Sequence, residues 1–241
     1  MSRHEPMFNV PGSVLAVLGL LIAVHLVLTS LPDVWGSWLT VALAFVPARY
    51  SGYADVIPGG PVASATSFLT YAFVHGDLLH LAINAGWLVA FGGAVANRIG
   101  TLRFLAFSAF TSIAGALTFL AFNPGLMAPV VGASGAVSGL MGGTMRFLFG
   151  ALDGQGLRML REEPRRVPLM PLARALTDRR VLLVTGAFIA ANILAVLGLG
   201  GISAGGIAWE AHVGGYFAGF LTFGFFDRSP TVHSPERSIV N

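Results

Sequence analysis

Long apolar stretches dominate the hydrophobic pattern of the chain. Six of them predict helices, at about 12–31, 78–97, 104–122, 134–148, 181–209 and 211–226, and the fifth helix is expected to end in the Gly-rich stretch 198–206. Arg146, near the end of the fourth stretch, is the only Asp, Glu or Arg in the six. Asn123-Pro124-Gly125 is a turn signal that separates the third helix from the fourth. Because a bilayer-spanning helix needs about 20 apolar residues, the pattern predicts an all-α, polytopic membrane protein with six transmembrane helices.

Two stretches between these helices are not predicted to cross the membrane. Residues 32–67 are rich in aromatic and apolar side chains, and we expect this outer loop to lie in the membrane interface, where amphipathic rings settle. Residues 149–180 are rich in Arg and predict a cytoplasmic loop that contacts anionic lipid. The predicted organisation is a membrane domain at 12–227 between an N-terminal tail at 1–11 and a C-terminal tail at 228–241.

The composition excludes other classes of protein. The chain has 241 residues, of which 55% are hydrophobic and 10% charged, whereas a soluble domain carries about 25% charged residues. A soluble globular enzyme and a disordered chain are therefore both excluded. There is no cysteine, so disulfides, thiolate nucleophiles and Cys-ligated zinc are excluded as well.

The charged residues predict the orientation in the membrane. All 14 basic residues are Arg, and with the N-terminus in the cytoplasm every one except Arg49 falls on the cytoplasmic side. This asymmetry follows the positive-inside rule, so the basic charge indicates topology and not nucleic-acid binding. We expect both termini in the cytoplasm, with the protein in a bacterial inner membrane.

Polar groups mark the outer ends of three helices. The second, fourth and sixth helices run from outside to inside, and their first turns contain His80 with Asn84, then Ser134, then His212. Polar and ionisable groups within a bilayer are costly and indicate a functional site. Four of them on three co-directional helices predict one site near the outer face.

Ser134 is the candidate nucleophile. It stands between Ala133 and Gly135 at the start of a helix, where small neighbours leave the hydroxyl accessible. Backbone N–H groups and the positive end of the helix dipole lie at such a position and favour a developing oxyanion. A plain N-cap serine is the structural alternative.

His212 is the candidate general base. Small residues on the fourth and sixth helices predict close packing of the two; they are Gly135, Gly139, Gly143, Gly215 and Gly219. Close packing would bring His212 to hydrogen-bond distance from Ser134, about 3 Å. Glu210 is a weaker candidate for orienting His212, and the lone His25 predicts a packed histidine.

His80 and Asn84 are candidate oxyanion-hole donors. They are four residues apart and share one helical face. A metal site is the competing interpretation, but the chain lacks H-E-x-x-H and cysteine and has only six histidines. The spans also lack the carboxylates of an aspartyl protease. Asp77 is expected to cap the second helix.

Together these motifs resemble the three signatures of rhomboid intramembrane serine proteases, over about residues 10–227. The matching segments are Gly132-Ala133-Ser134-Gly135, the pair His80 and Asn84, and Ala211-His212 with Gly215 and Gly219. The resemblance implies a six-helix rhomboid-like bundle in which Ser134 is the nucleophile and His212 the base. It further implies an oxyanion hole of His80, Asn84 and the Ser134 N–H, with His75 in a supporting role.

Two positions depart from the family pattern. Many members carry an aromatic residue four positions after the nucleophile, stacked on the catalytic histidine, and this chain has Ser138 there. Many also carry a Trp-Arg pair in the first outer loop, whereas here Arg49 follows Ala48. The first departure concerns the orientation of His212, and the second concerns the anchoring of the loop.

The sequence therefore predicts an intramembrane serine endopeptidase that needs no cofactor or metal. Its expected partners are membrane proteins with a transmembrane segment and the lipid bilayer, without nucleic acid, and the oligomeric state is left open. The alternatives are a catalytically inactive rhomboid-like module that binds membrane proteins, and a small transporter. A transporter would show internal repeats and a midplane site, and neither is found in the sequence.

Overall fold

A computed structural model describes residues 10–153, 159–160, 163–198 and 207–228. The predicted tails and residues 199–206 at the end of the fifth apolar stretch lie almost wholly outside the described residues. The main helices are α1 (Gly12–Ser30), α2 (Asp33–Leu43), α3 (Gly60–Thr70), α4 (Leu78–Ile99), α5 (Thr101–Phe122), α6 (Ser134–Asp153), α7 (Leu172–Ala175), α8 (Arg179–Val196) and α9 (Trp209–Phe226). Short 3-10 helices occupy Pro47–Ser51, Tyr71–Phe73 and Pro164–Arg166.

The described chain is helical, and it forms a multi-pass membrane protein. Four helices, α1, α4, α5 and α8, are long and apolar enough to cross a membrane. The fourth and sixth predicted stretches are also helical, as α6 and α9, and many of their residues are buried. Helix α6 runs to Asp153, five residues beyond the predicted end. The predicted outer loop, 32–67, includes the short helix α2 and most of α3, each of 11 residues, and α3 continues three residues beyond the predicted end of the loop.

Contacts between glycines give the relative direction of the central helices. Gly215 of α9 lies against the main chain of Gly135 in α6, and Gly219 lies against that of Gly139. Positions rise together along both helices, so α6 and α9 are parallel. No side chain fits at either contact, which makes this the close packing expected of facing small residues.

Helix α5 runs against the other two central helices. Its Gly115 packs on Ala211 near the start of α9, whereas Phe107, two turns earlier, lies near Gly143 at the middle of α6. Helix α5 is therefore antiparallel to α6 and α9. The three helices together form the centre of the molecule.

Helix α4 lies parallel to α6 and α9. Its first turn approaches Gly132 just before α6, and its last turn reaches the end of α9. There Arg98, fully buried, donates from Nε and Nη2 to Asp227 Oδ2 at 2.9 and 2.7 Å. Its Nη1 donates to the carbonyl oxygens of Pro164 (2.7 Å) and Val167 (2.9 Å). The starts of α4, α6 and α9 therefore meet at one end of the molecule.

Arg49 anchors the outer loop although Ala48, and not a tryptophan, stands directly before it. The side chain is buried, and its Nη2 donates to Val41 O at 2.7 Å while Nη1 donates to Ile57 O at 3.5 Å. One cation thus joins the end of α2 to the turn before α3. Phe45 and Val130 also exchange two backbone hydrogen bonds, at 3.0 and 2.8 Å, which tie the loop to the segment before α6.

Candidate active site

The segment before α6 is held by backbone contacts that position Ser134. The Gly132 N–H donates to Tyr71 O at 2.9 Å, and the Ala133 N–H lies 3.4 Å from His75 Nε2. Helix α6 begins at Ser134, so the N–H groups of its first turn have no carbonyl one turn earlier within the helix. The serine hydroxyl consequently stands beside a set of N–H donors on a fixed main chain.

Ser134 and His212 are in direct contact. His212 Nε2 lies 2.8 Å from Ser134 Oγ, and both residues are partly buried. His212 stands in the first turn of α9, and the Gly135–Gly215 contact holds that turn against the first turn of α6. The two residues are 78 positions apart in the sequence, and a single helix–helix contact brings them together.

The other nitrogen of the same imidazole contacts Asn192 of α8. His212 Nδ1 lies 2.7 Å from Asn192 Oδ1, and the Asn192 side chain also donates from Nδ2 to Phe188 O at 2.8 Å. The sequence reasoning missed Asn192. The signal available was a lone amide side chain in an otherwise apolar span, which is costly unless it has a partner.

Asp77 sets the start of α4, as expected. Its Oδ1 accepts the His80 N–H at 2.8 Å, and this hydrogen bond is the largest cause of the lowered pKa of the Asp77 carboxyl. A carboxylate at this position also interacts favourably with the helix dipole. The cap fixes the turn from which His80 and Asn84 project.

His80 and Asn84 both reach the space beside Gly132. A Cβ placed on Gly132 would lie 2.7 Å from His80 Nε2 and 3.7 Å from Asn84 Nδ2. Asn84 is buried, and its Nδ2 also donates to His80 O at 3.0 Å. The two predicted donors therefore lie together, two residues before Ser134 along the main chain.

His75 supports this arrangement from the loop before α4. Burial, and secondarily the charge of His80, lower its pKa to about 4, so the ring is neutral at pH 7 and Nε2 can accept the Ala133 N–H. Its ring meets that of His80 edge-on, with centroids 5.1 Å apart. His75 thus links the segment before Ser134 to the first turn of α4.

Three further positions discussed in the sequence analysis, Glu210, Ser138 and His25, are also placed by the structure. Glu210 Oε1 accepts a hydrogen bond from Asn123 Nδ2 at 2.9 Å, which ties the first turn of α9 to the end of α5. Ser138 is buried within α6, and His25 is buried in α1. Within the described ranges, no group of three or more His, Asp or Glu side chains could hold a metal ion.

The fold and the site define a multi-pass helical membrane protein with a serine and a histidine in contact at one end of its central helices. A family model for the rhomboid domain matches residues 63–228, more than half of the chain. The chain belongs to the rhomboid family. The match includes α4, α5, α6 and α9 and all four candidate site residues. A search of curated proteins gave no match.

Proposed function

We propose that the chain is an intramembrane serine endopeptidase that cleaves transmembrane or juxtamembrane segments of membrane proteins. The observation that carries the proposal is the 2.8 Å contact between His212 Nε2 and Ser134 Oγ. A hydroxyl paired with an imidazole is the minimum needed for nucleophilic acyl transfer. Membership in the rhomboid family supports the same reaction class.

In the proposed mechanism, Ser134 Oγ attacks the scissile carbonyl carbon while His212 Nε2 takes the hydroxyl proton. The tetrahedral oxyanion is stabilised by His80, Asn84 and the Ser134 N–H, which converge near the start of α6. The protonated His212 then gives its proton to the leaving amine, and an acyl-enzyme forms on Ser134. Water, deprotonated by His212, hydrolyses this ester and restores the serine.

The proposed membrane arrangement has six spans, with α6 and α9 added to the four apolar candidates. Both termini are placed in the cytoplasm of a bacterial inner membrane, because nearly all arginines then fall on that side. The site then opens near the outer face. Residues 12–227 form the membrane domain, with 32–67 as the outer loop and 149–180 as the cytoplasmic loop.

The proposed substrates are membrane proteins whose transmembrane helices unwind easily near the outer face. A fully hydrogen-bonded helix does not present its carbonyl groups to a nucleophile. Substrate selection would therefore depend on the local helix stability of the target as well as on its side chains.

The test is cleavage of a single-span reporter protein by the purified chain in detergent. We expect Ser134→Ala and His212→Ala to lower the cleavage rate by at least about 1,000-fold, because each removes one partner of the reacting pair. A fluorophosphonate probe should label the parent at Ser134, as mapped by mass spectrometry. Cleavage by either variant at the parental rate would contradict the mechanism.

An inactive rhomboid-like binding module is the second candidate, favoured by Ser138 in place of the usual stacked aromatic residue. It predicts no adduct at Ser134 and capture of single-span proteins without cleavage. Probe labelling therefore separates the two candidates in one measurement.

A further inference from the structure

Asn192 of α8 touches the imidazole of His212 on the side opposite Ser134. We infer that Asn192 is a positioning residue that selects the tautomer and ring orientation of His212, so that a Ser134–His212–Asn192 chain replaces the missing aromatic stack. The inference rests on the proposed function. It is carried by the 2.7 Å contact between His212 Nδ1 and Asn192 Oδ1.

The orientation of the Asn192 amide is fixed by its second contact. Phe188 O, 2.8 Å away, is a carbonyl and can only accept, so the atom facing it must be the amide NH₂ group. The carbonyl oxygen of the amide then faces His212. One hydrogen bond within α8 therefore determines which end of the amide the imidazole meets.

The tautomer of His212 follows from this orientation. An amide oxygen can only accept, so His212 Nδ1 must carry the hydrogen. In a neutral imidazole the other nitrogen, Nε2, is then an acceptor, and it is the nitrogen that lies 2.8 Å from Ser134 Oγ. The geometry thus leaves His212 ready to receive the serine proton. A Cys–His–Asn arrangement performs the same task in unrelated proteases.

Asn192 is one of the few buried residues of α8. Val181 and Asn192 are the buried residues of α8, and most of its other side chains are half-buried or exposed. A second polar contact, between Thr185 and the Tyr216 hydroxyl at 2.6 Å, joins α8 to α9 two turns away without touching His212. Thr185 therefore provides a matched control for the effect of helix association alone.

The charges around His212 are few. Among the described residues, His80 of α4 interacts electrostatically with His212, and Glu210 in the same turn of α9 accepts a hydrogen bond from Asn123 of α5. Neither contacts His212 Nδ1. A change at residue 192 therefore alters the environment of Nδ1 without altering another ionic contact of the ring.

The first experiment compares fluorophosphonate labelling rates of the full-length parent, Asn192→Leu, Asn192→Asp and Thr185→Val in detergent. We expect Asn192→Leu to slow labelling and kcat by at least about 10-fold with KM nearly unchanged, since general-base assistance contributes about 10²–10⁴-fold. Thr185→Val should label at the parental rate. Equal slowing in Asn192→Leu and Thr185→Val would reduce Asn192 to a packing residue and overturn the inference.

The pH dependence gives a readout that helix packing does not move. Asn192→Asp keeps an acceptor for the Nδ1 hydrogen and adds a negative charge, which favours the imidazolium form. We expect the acid limb of its pH–rate profile to move to higher pH, and that of Asn192→Leu to move to lower pH. Coincident acid limbs for the parent and both variants would overturn the inference.

The tautomer itself is measurable without turnover. In protein labelled with ¹⁵N-histidine, the His212 signal, assigned with the His212→Asn variant, should show a protonated Nδ1 and an unprotonated Nε2 near pH 8. The reverse tautomer would overturn the inference. If the parent takes no label at Ser134, the proposed function fails, and this spectrum still decides the role of Asn192.

Discussion

At the scale of single residues, Gly132 has little room for change. Its φ of +119° lies in the left-handed region, and a Cβ there would lie 2.7 Å from His80 Nε2. We expect Gly132→Ala to displace His80 and to lower the cleavage rate by about 100-fold, because small misplacements of catalytic groups have effects of that size. The cleavage assay and probe labelling measure the change.

Gly125→Ala is the matched control for backbone strain. Gly125 also has a positive φ, of +77°, but its Cβ would meet only Ser51, at 3.7 Å. Both variants should lose stability, by about 1–3 kcal/mol, since a non-glycine residue is strained in this conformation. Loss of activity in Gly125→Ala equal to that in Gly132→Ala would show that strain alone explains the effect.

The sequence predicted four residues of the candidate site but not Asn192. Ser134, His80, Asn84 and His212 stand at the starts of co-directional helices, so their proximity follows from topology alone. Asn192 stands late in an antiparallel helix, and its contact depends on the rotation of α8 about its axis. The apolar pattern of α8 does not specify that rotation because the helix is apolar on most faces.

At the scale of elements, the glycine contacts between α6 and α9 predict opposite effects for two substitutions in one helix. A Cβ on Gly219 would overlap the main chain of Gly139, whereas a Cβ on Gly224 would meet only Leu169 Cδ2, at 3.7 Å. We expect Gly219→Ala to destabilise the protein by about 1–3 kcal/mol through overpacking. Gly224→Ala should stabilise it by about 0.5–1 kcal/mol because alanine has the higher helix propensity.

Thermal unfolding in detergent, followed by circular dichroism, tests this pair. The melting temperature should fall for Gly219→Ala and rise for Gly224→Ala. Equal shifts would mean that the α6–α9 contact is looser than the structure has it. Labelling of Ser134 should fall only in Gly219→Ala, because that contact sets the distance between the two helices.

The helices themselves were predictable because a long apolar segment in a bilayer must satisfy its own backbone hydrogen bonds, which a helix does. The turn at Asn123-Pro124-Gly125 correctly separated α5 from α6. The interior of the outer loop was not predictable. Its helices α2 and α3 make contacts with each other across a long stretch of sequence, such as Thr70 Oγ1 donating to Leu43 O at 2.7 Å.

At the scale of the whole molecule, Arg98 connects four segments at the end opposite the candidate site. Its guanidinium pairs with Asp227, donates to two backbone carbonyl oxygens, and stacks over the Phe147 ring at 4.6 Å. We expect Arg98→Met to lower the free energy of unfolding by about 3–5 kcal/mol, as measured for broken buried ion pairs. Asp227→Asn in the same protein should restore part of the loss.

Arg166→Met is the surface control for this prediction. Arg166 pairs with Glu163 at 2.9 Å, but both side chains are exposed, and such pairs contribute at most about 1 kcal/mol. Urea or thermal unfolding of the three variants gives the comparison. A loss in Arg98→Met no larger than that in Arg166→Met would contradict the clamping role of Arg98.

The contact of α6 with α9 through Gly135 and Gly215 determines what controls the spacing of Ser134 and His212. Since main chain rests directly on main chain at that level, van der Waals contact fixes the separation of the two backbones, and no side chain lies between them. Apolar residues elsewhere on the two helices can exchange for others of similar size without moving oxygen and nitrogen apart. Reactivity in such a protein should thus tolerate wide variation in its lipid-facing surface.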